Sequence, residues 1–265
     1  MLIRGGPSDN SLLGSDGDDL LIDPTGNDWI DGARGNDSIS AGEGNDRVFG
    51  GAGNDHVFGE AGNDYLYGDN GRDRPPVAGQ DNDKLYGGPG DDVLFASDGR
   101  DQLTGDGQDT FVFRHHNPVP AVDPASWPNP GYTVILDFDP NEDTFAFDAA
   151  GHYSDGTGAN FLSHASSRSG HGVDAFYSGA ASEANGEDVV VVTDKSFFSG
   201  DGAANAIAGE TTGDIIVYHD DLTKSAVLAY VTSENHADEF ARLASVHSLA
   251  DLAALGLSGW DFTFV

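Results

Sequence analysis

The residues most able to do chemistry in this sequence are aspartates that recur at a nine-residue interval along its first half. Written from residue 14, the blocks read GSDGDDLLI, DPTGNDWID, GARGNDSIS, AGEGNDRVF, GGAGNDHVF, GEAGNDYLY and GDNGRDRPP, and the pattern resumes after one extra residue, Val77. Position six of every block is aspartate: Asp19, Asp28, Asp37, Asp46, Asp55, Asp64, Asp73, Asp83, Asp92, Asp101 and Asp109. Because hard divalent cations prefer carboxylate oxygens, this spacing predicts cation binding.

The residues around each aspartate predict the turns and strands that would hold it. Glycine at position four favours a tight turn with positive φ, and asparagine at position five tolerates left-handed geometry. Positions seven to nine suit a short strand whose middle residue points inward. Two blocks make one coil, so stacked coils would form a parallel β-roll, with two parallel sheets around a thin aliphatic core. The inward residues are Leu21, Ile30, Ile39, Val48, Val57, Leu66, Leu85, Leu94 and Leu103.

Stacking of such coils would gather the aspartates on two edges. One edge would carry Asp19, Asp37, Asp55, Asp73, Asp92 and Asp109, and the other Asp28, Asp46, Asp64, Asp83 and Asp101. Carboxylates about 5 Å apart repel by about 3 kcal/mol at an effective dielectric of about 20. A divalent cation between successive turns reverses this repulsion, and an oxygen-only ligand set favours Ca²⁺. We therefore expect folding to be coupled to Ca²⁺, against the alternative that the aspartates only form turns.

These blocks resemble the RTX family of hemolysin-type calcium-binding repeats over residues 5–113. The resemblance implies that position-six aspartates bridge about nine Ca²⁺ ions and that turn carbonyls complete the ligand shells. The implied carbonyl ligands are Gly32, Arg34, Gly35, Gly42, Gly44, Gly50, Gly51, Ala52, Gly53, Gly59, Ala61, Gly62, Gly87, Gly88 and Gly90. Pro75 departs from the pattern, and with Val77 beside it we expect a bulge there.

The second half of the chain has a different composition. Residues 114–131 are proline-rich and predict a linker or surface loop between the β-roll (1–113) and a C-terminal domain (132–265). We expect that domain to be an antiparallel β-rich cap on the roll with about two short helices, at 234–246 and 248–256. DPNED and DDLTK are each expected to turn a hairpin.

One segment of this domain has the spacing of a metal-binding loop. Asp137, Asp139, Asn141 and Asp143 stand at alternate positions, as oxygen ligands do in an EF-hand, although Glu142 replaces the usual glycine. Two interpretations of this segment remain open: a hairpin that binds no metal, and an additional Ca²⁺ site.

The sequence contains no familiar catalytic motif, and its charge and hydropathy disfavour several classes of partner. It contains neither HExxH nor GxSxG, so we expect no enzyme. The remaining candidates for a site, His115 with His116 and the group His152, Asp155, His164 and His171, have no diagnostic spacing. The net charge of −33 disfavours nucleic acid and anionic membranes, and no apolar run is long enough to span a membrane.

The RTX resemblance also implies export. Proteins of this family leave Gram-negative cells through a type I secretion apparatus that reads an uncleaved C-terminal signal, so a secreted protein is expected. The function predicted is a non-enzymatic Ca²⁺-binding module with a structural or interaction role, whose partners could include a cell-surface polymer or glycan. The alternatives are the stabilising and export module of an extracellular enzyme, and a Ca²⁺-dependent glycan-binding adhesin.

Overall fold

A computed structural model describes residues 1–69, 82–96, 99–113, 133–147, 173 and 175–264. The chain divides into two compact units, Met1–His116 and Asn117–Val265. The linker predicted at 114–131 lies outside the described residues.

The first unit is the predicted parallel β-roll. Its strands, within the residues described, are β1 (Leu2–Arg4), β2 (Ser11–Leu13), β3 (Leu20–Ile22), β4 (Trp29–Asp31), β5 (Ser38–Glu43), β6 (Arg47–Phe49), β7 (His56–Ala61), β8 (Tyr65–Tyr67), β9 (Lys84–Tyr86), β10 (Val93–Ala96), β11 (Gln102–Thr104) and β12 (Thr110–Phe113). Odd-numbered strands pair in parallel to form one sheet, and even-numbered strands form the other. The mainly β architecture and the roll are therefore confirmed.

The core of the roll is one aliphatic side chain thick. All nine predicted inward residues are fully buried, and Phe111 continues their row in β12. Burying one such side chain contributes about 1.5–3 kcal/mol. This thin core must also hold together two edges dense in aspartate.

The roll is interrupted once, and its register shows how. Successive strands of one sheet are normally 18 residues apart, as in Ser38 with His56, whereas His56 pairs with Lys84 and Tyr65 with Val93, both 28 residues apart. The interval between paired strands is therefore ten residues longer across this point of the sequence. The GDNGRDRPP block, in which Pro75 stands at the position of the inward aliphatic residue, falls within this longer interval of the sequence. Residues 70–81, with the predicted bulge at Val77, lie outside them.

The second unit contains a mixed sheet and a separate strand pair. Its described strands are β13 (Thr133–Ile135), β14 (Thr144–Phe147), β15 (Phe176–Gly179), β16 (Val189–Val192), β17 (Ile215–Asp220), β18 (Ser225–Ser233), β19 (His236–Leu243) and β20 (Phe262–Phe264). Within this unit the sheet order is β13-β19-β18-β17-β16-β15, with β14 paired to β20. The contact β17–β18 is antiparallel, as predicted; β18–β19 is also antiparallel, and the other pairs are parallel. The hairpin predicted at DDLTK joins β17 and β18.

The hairpin predicted at DPNED is wrong. β13 pairs with β19, and β14 pairs with β20, so these neighbours in sequence do not pair with each other. Phe145 and Phe147 lie 5.4 and 6.3 Å, between ring centroids, from Phe262 on β20. Burial of these aromatic rings selects the partner strand, and a good turn sequence does not override it.

The helix predicted at 234–246 is also wrong, because His236–Leu243 forms β19. The same residues satisfy both periods, since Ala237, Ala241 and Leu243 are also buried at strand spacing. Ser233 pairs with His236 across a tight turn in which Asn235 has φ 60°. This turn folds the segment back onto β18, and sheet pairing overrides the local helical pattern.

The helices of the second unit are short. α2 (Leu249–Leu255) is the predicted one: Ser248 Oγ accepts the N–H of Asp251 at 3.1 Å, and Gly256 ends the helix at φ 72°. α1 (Gly200–Ala204) was not predicted and is capped by Ser199. No helix in the described part of the chain is long and apolar enough to cross a membrane.

Candidate metal sites

The two edges of the roll carry ladders of aspartate side chains. On edge one, the backbone N–H of each aspartate donates to Oδ1 of the aspartate one coil further on, in the order Asp19, Asp37, Asp55, Asp83 and Asp101. Edge two repeats the arrangement in the order Asn10, Asp28, Asp46, Asp64, Asp92 and Asp109. The donor–acceptor distances run from 2.6 to 3.0 Å.

The predicted assignment of aspartates to edges is therefore wrong beyond the interruption. Asp55 is followed on its edge by Asp83, not by Asp73, and Asp64 is followed by Asp92, not by Asp83. The paired strands on either side of the interruption are 28 residues apart, ten more than usual, and this offset exchanges the edges of all later blocks. Asp73 itself lies outside the described residues.

The ladder carboxylates are buried, and several have an oxygen with no hydrogen-bond partner. Every ladder aspartate is 5% exposed or less. Oδ2 has no hydrogen-bond partner in Asp28, Asp37, Asp46, Asp64 and Asp92. A buried carboxylate oxygen without a partner is costly, so these atoms need either a proton or a cation.

Glycine at position one keeps a space open beside these oxygens. A side-chain carbon at Gly32 would lie 2.5 Å from Asp37 Oδ2, and one at Gly50 would lie 2.6 Å from Asp55 Oδ2. Gly51 and Gly53 have φ values of 113° and 139°, which side-chain-bearing residues rarely adopt. The sequence thus places turn carbonyls and a carboxylate around one small space.

The predicted carbonyl ligands lie in these same turns. Gly32, Arg34 and Gly35 share a turn with Asp37; Gly42 and Gly44 with Asp46; Gly50, Gly51, Ala52 and Gly53 with Asp55; Gly59, Ala61 and Gly62 with Asp64; and Gly87, Gly88 and Gly90 with Asp92. The carbonyls of Ala52 and Ala61 each accept one backbone hydrogen bond, which leaves a second lone pair. Their assignment as ligands stays a prediction.

Burial also changes the acidity of the ladder. It raises the pKa of Asp46 and of Asp92 to about 7, with the charges of neighbouring ladder carboxylates adding to the effect. Burial likewise raises the pKa of Asp37 and of Asp64 to about 6. Near neutral pH, the metal-free edge therefore holds carboxylates that resist ionisation.

The donor set fits Ca²⁺. In the described residues, no three acidic or histidine side chains converge into a metal-binding group, so side chains alone could not surround an ion. The edges instead offer one or two carboxylates per turn together with backbone carbonyls. Such all-oxygen, mixed ligand sets are those of Ca²⁺.

The loop at 137–143 forms an internally hydrogen-bonded turn. Asp139 Oδ1 accepts the backbone N–H and side-chain amide of Asn141 at 2.9 and 2.7 Å, and Asp143 Oδ2 accepts the N–H of Asp139 at 2.8 Å. No convergent acidic cluster forms within its described residues. His115, His116, His152, Asp155, His164 and His171 lie outside the described part of the chain.

Position five plays a role that the sequence reading missed. None of the position-five asparagines in the described turns has a positive φ; the residues of these turns that have one are mainly glycines. Their side chains form an outer ladder instead, as when Asn27 Oδ1 accepts the N–H of Asn45 and Asn36 Oδ1 accepts that of Asn54, at 2.8 and 2.9 Å. The recurrence of asparagine at position five, two blocks apart in the sequence, could have predicted this outer ladder.

Comparison with known proteins agrees with this geometry. The sequence model of the RTX calcium-binding nonapeptide repeat matches in four copies, at residues 2–22, 25–57, 40–75 and 77–112. The chain is 42% identical over 163 residues to nodulation protein O of Rhizobium leguminosarum bv. viciae. That similarity covers 58% of this chain and 55% of the relative, so the chain spans about half of the relative's length. Residues 2–112 of this chain therefore carry RTX calcium-binding nonapeptide repeats.

Proposed function

We propose that this chain is an extracellular protein whose roll folds when it binds Ca²⁺, and that its role is structural or interactive rather than catalytic. The observation that carries the proposal is the pair of aspartate ladders, which bury carboxylate oxygens without hydrogen-bond partners. The repeat family supports Ca²⁺ as the ion.

The energetics of the edges support coupled folding. Each buried polar group left unsatisfied costs about 1–3 kcal/mol, more when charged, and five ladder oxygens are in this state. The net stability of a domain is only about 5–15 kcal/mol, so the metal-free roll is at best marginal. Ions between successive turns would satisfy these oxygens, and their binding free energy becomes folding free energy.

Coupled folding also supports export. Extracellular Ca²⁺ modules bind with dissociation constants of about 10⁻⁴–10⁻³ M, far above the Ca²⁺ concentration of a cytosol. The chain would then remain unfolded inside the cell, pass through a type I secretion apparatus and fold outside. Similarity to a Rhizobium protein is consistent with a Gram-negative host.

The non-catalytic role is supported by the sequence, which lacks the zinc-protease and lipase motifs. The alternatives are the export module of an extracellular enzyme and a Ca²⁺-dependent glycan-binding adhesin. A glycan array probed with the full chain in Ca²⁺ and in EGTA addresses the adhesin: Ca²⁺-dependent retention of a glycan class would favour it over a purely structural role.

Far-UV circular dichroism of the full chain, in Ca²⁺ and in EGTA, tests the central proposal. We expect the β signal of the roll to be lost in EGTA and to return when Ca²⁺ is restored, whereas Mg²⁺ at the same concentration should not restore it. A spectrum and melting temperature that chelation leaves unchanged would contradict Ca²⁺-coupled folding.

A further inference from the structure

Asp23 is an exception to the pattern of the roll. It occupies position one of its block, where the other blocks between residues 5 and 103 carry glycine or alanine. The family pattern gives no role to a carboxylate there. Its turn, residues 23–28, lies on edge two directly after the turn at residues 5–10.

The Asp23 side chain points into the interior of this edge. The residue is 1% exposed, and neither carboxylate oxygen has a hydrogen-bond partner. The backbone N–H of Thr25 lies near the carboxylate but outside hydrogen-bonding geometry. The carboxylate fills the space that a side chain at Gly5 would need. It therefore lies between the two turns, where ions are expected on this edge.

A second carboxylate lies beside it. Asp28, at position six of the same turn, is close enough for its carboxyl group to interact directly with that of Asp23, and its Oδ2 accepts no hydrogen bond from an N–H or hydroxyl group. Three buried oxygens of two acids thus share one space. Without a positive charge or a proton between them, this arrangement is unfavourable.

The preceding turn supplies the reason for the exception. Position six there is Asn10, an amide in place of the ladder aspartate. Asn10 Oδ1 accepts the N–H of Gly6 at 2.7 Å, just as Asp19 Oδ2 accepts the N–H of Ser15 at 2.6 Å. The amide keeps the shape of the turn but lacks the negative charge. An ion between these two turns would therefore have one position-six carboxylate as a ligand, where the other intervals of the edge offer two.

We propose that Asp23 is a Ca²⁺ ligand that replaces the carboxylate missing at position six of the first turn, so that edge two has an additional site between Asn10 and Asp28. This inference rests on the proposed Ca²⁺-coupled folding of the roll. With Asp23 and Asp28, the site has two carboxylates, the same number as the sites between consecutive ladder aspartates.

Hydrogen exchange of the full chain, followed by mass spectrometry through a Ca²⁺ titration, tests the assignment. Asp23→Asn removes the charge with little change of shape. We expect the Ca²⁺ concentration that protects residues 1–31 to rise about tenfold, because ligand charge sets Ca²⁺ affinity, while residues 38–69 keep their midpoint. The control is Asp16→Asn, which removes the same charge from a side chain that is 83% exposed, and it should leave both midpoints unchanged.

An exchange of the two side chains separates ligation from packing. The double variant Asn10→Asp, Asp23→Asn has the composition and net charge of the wild type and places the carboxylate at position six. It should recover most of the lost Ca²⁺ affinity, although the contact of the Asn10 amide with the Ser8 carbonyl is lost.

Two results would overturn the assignment. One is a midpoint for Asp23→Asn equal to that of Asp16→Asn. The other is a loss of protection that persists at saturating Ca²⁺ and that the double variant does not restore, which indicates a packing role. Failure of the proposed function is distinguishable, since residues 38–69 would then show no Ca²⁺-dependent protection in any variant.

Discussion

Replacing Asp46 with asparagine separates two roles of a ladder carboxylate. Asparagine keeps Oδ1, which accepts the N–H of Asp28 at 2.7 Å, but puts an amide group in place of Oδ2, which has no hydrogen-bond partner. Asp46 lies between Asp28 and Asp64 on its edge, so the substitution affects the sites on both sides. A charge-assisted contact contributes about 1.5–3 kcal/mol, and two such contacts give an expected loss of about 3–6 kcal/mol in Ca²⁺.

Hydrogen exchange of residues 38–69 in the full chain measures this loss as a free energy of local opening. The control, Asp16→Asn, removes an exposed charge that lies 3.6 Å from Arg34 and should change the value by less than about 0.5 kcal/mol. Without Ca²⁺ the effect of Asp46→Asn should change sign, since the substitution then removes a carboxylate that burial destabilises. Equal losses for the two variants in Ca²⁺ would refute the reasoning.

Three further predictions concern pH, the core and the second unit. After removal of Ca²⁺ by dialysis, with no chelator present, circular dichroism should show that the roll gains structure on acidification from pH 8 to pH 5. The ladder pKa values of about 6 to 7 exceed the ordinary 3.8, so the stability present at low pH is lost as pH rises through 6 to 7. The absence of any gain would contradict the raised pKa values. In urea unfolding, Leu66→Ala should lower the free energy of unfolding by about 3 kcal/mol, because it removes three carbon groups worth about 0.8 kcal/mol each and leaves a cavity. Leu13→Ala, at a side chain that is 61% exposed, should lower it by under about 0.5 kcal/mol. Burial and the charges of Asp214 and Glu187 raise the pKa of Glu210 to about 8. The stabilising protonation of Glu210 is therefore lost as pH rises through 8. Glu210→Gln should raise the melting temperature at pH 9 but not at pH 5, whereas the control Glu234→Gln, at an exposed side chain, should raise it at neither. Equal shifts for Glu210→Gln at both pH values would argue against this.

The roll could be predicted because each local signal agrees with the others. Glycine, aspartate and the inward aliphatic residue recur at one interval, so turn, ligand and core follow from the same pattern. The edge assignment failed at one place, where paired strands are 28 residues apart in place of the usual 18. Periodicity gives the order of the blocks but not which of them enters the sheet.

The second unit could be predicted only in part, because its strands choose partners by tertiary packing. The strands β16, β17 and β18 were evident from their β-branched and apolar runs, and the hairpin at DDLTK from its turn. The residues of β19 fit two periods, and only pairing with β18 decides between them. Asp23 is an exception at position one of the sequence pattern, but its burial between two turns follows only from the stacking of the coils.

The number of bound Ca²⁺ ions tests the central claim most directly. Successive aspartates leave four intervals on edge one and four on edge two, which gives eight sites, and the interval from Asn10 to Asp28 adds a ninth. Equilibrium dialysis of the full chain against Ca²⁺, with the ion measured by atomic absorption, should give a number near nine for the wild type and one fewer for Asp23→Asn. A wild-type number of zero to two, or equal binding of Mg²⁺, would contradict the assignment of the buried ladders as calcium sites.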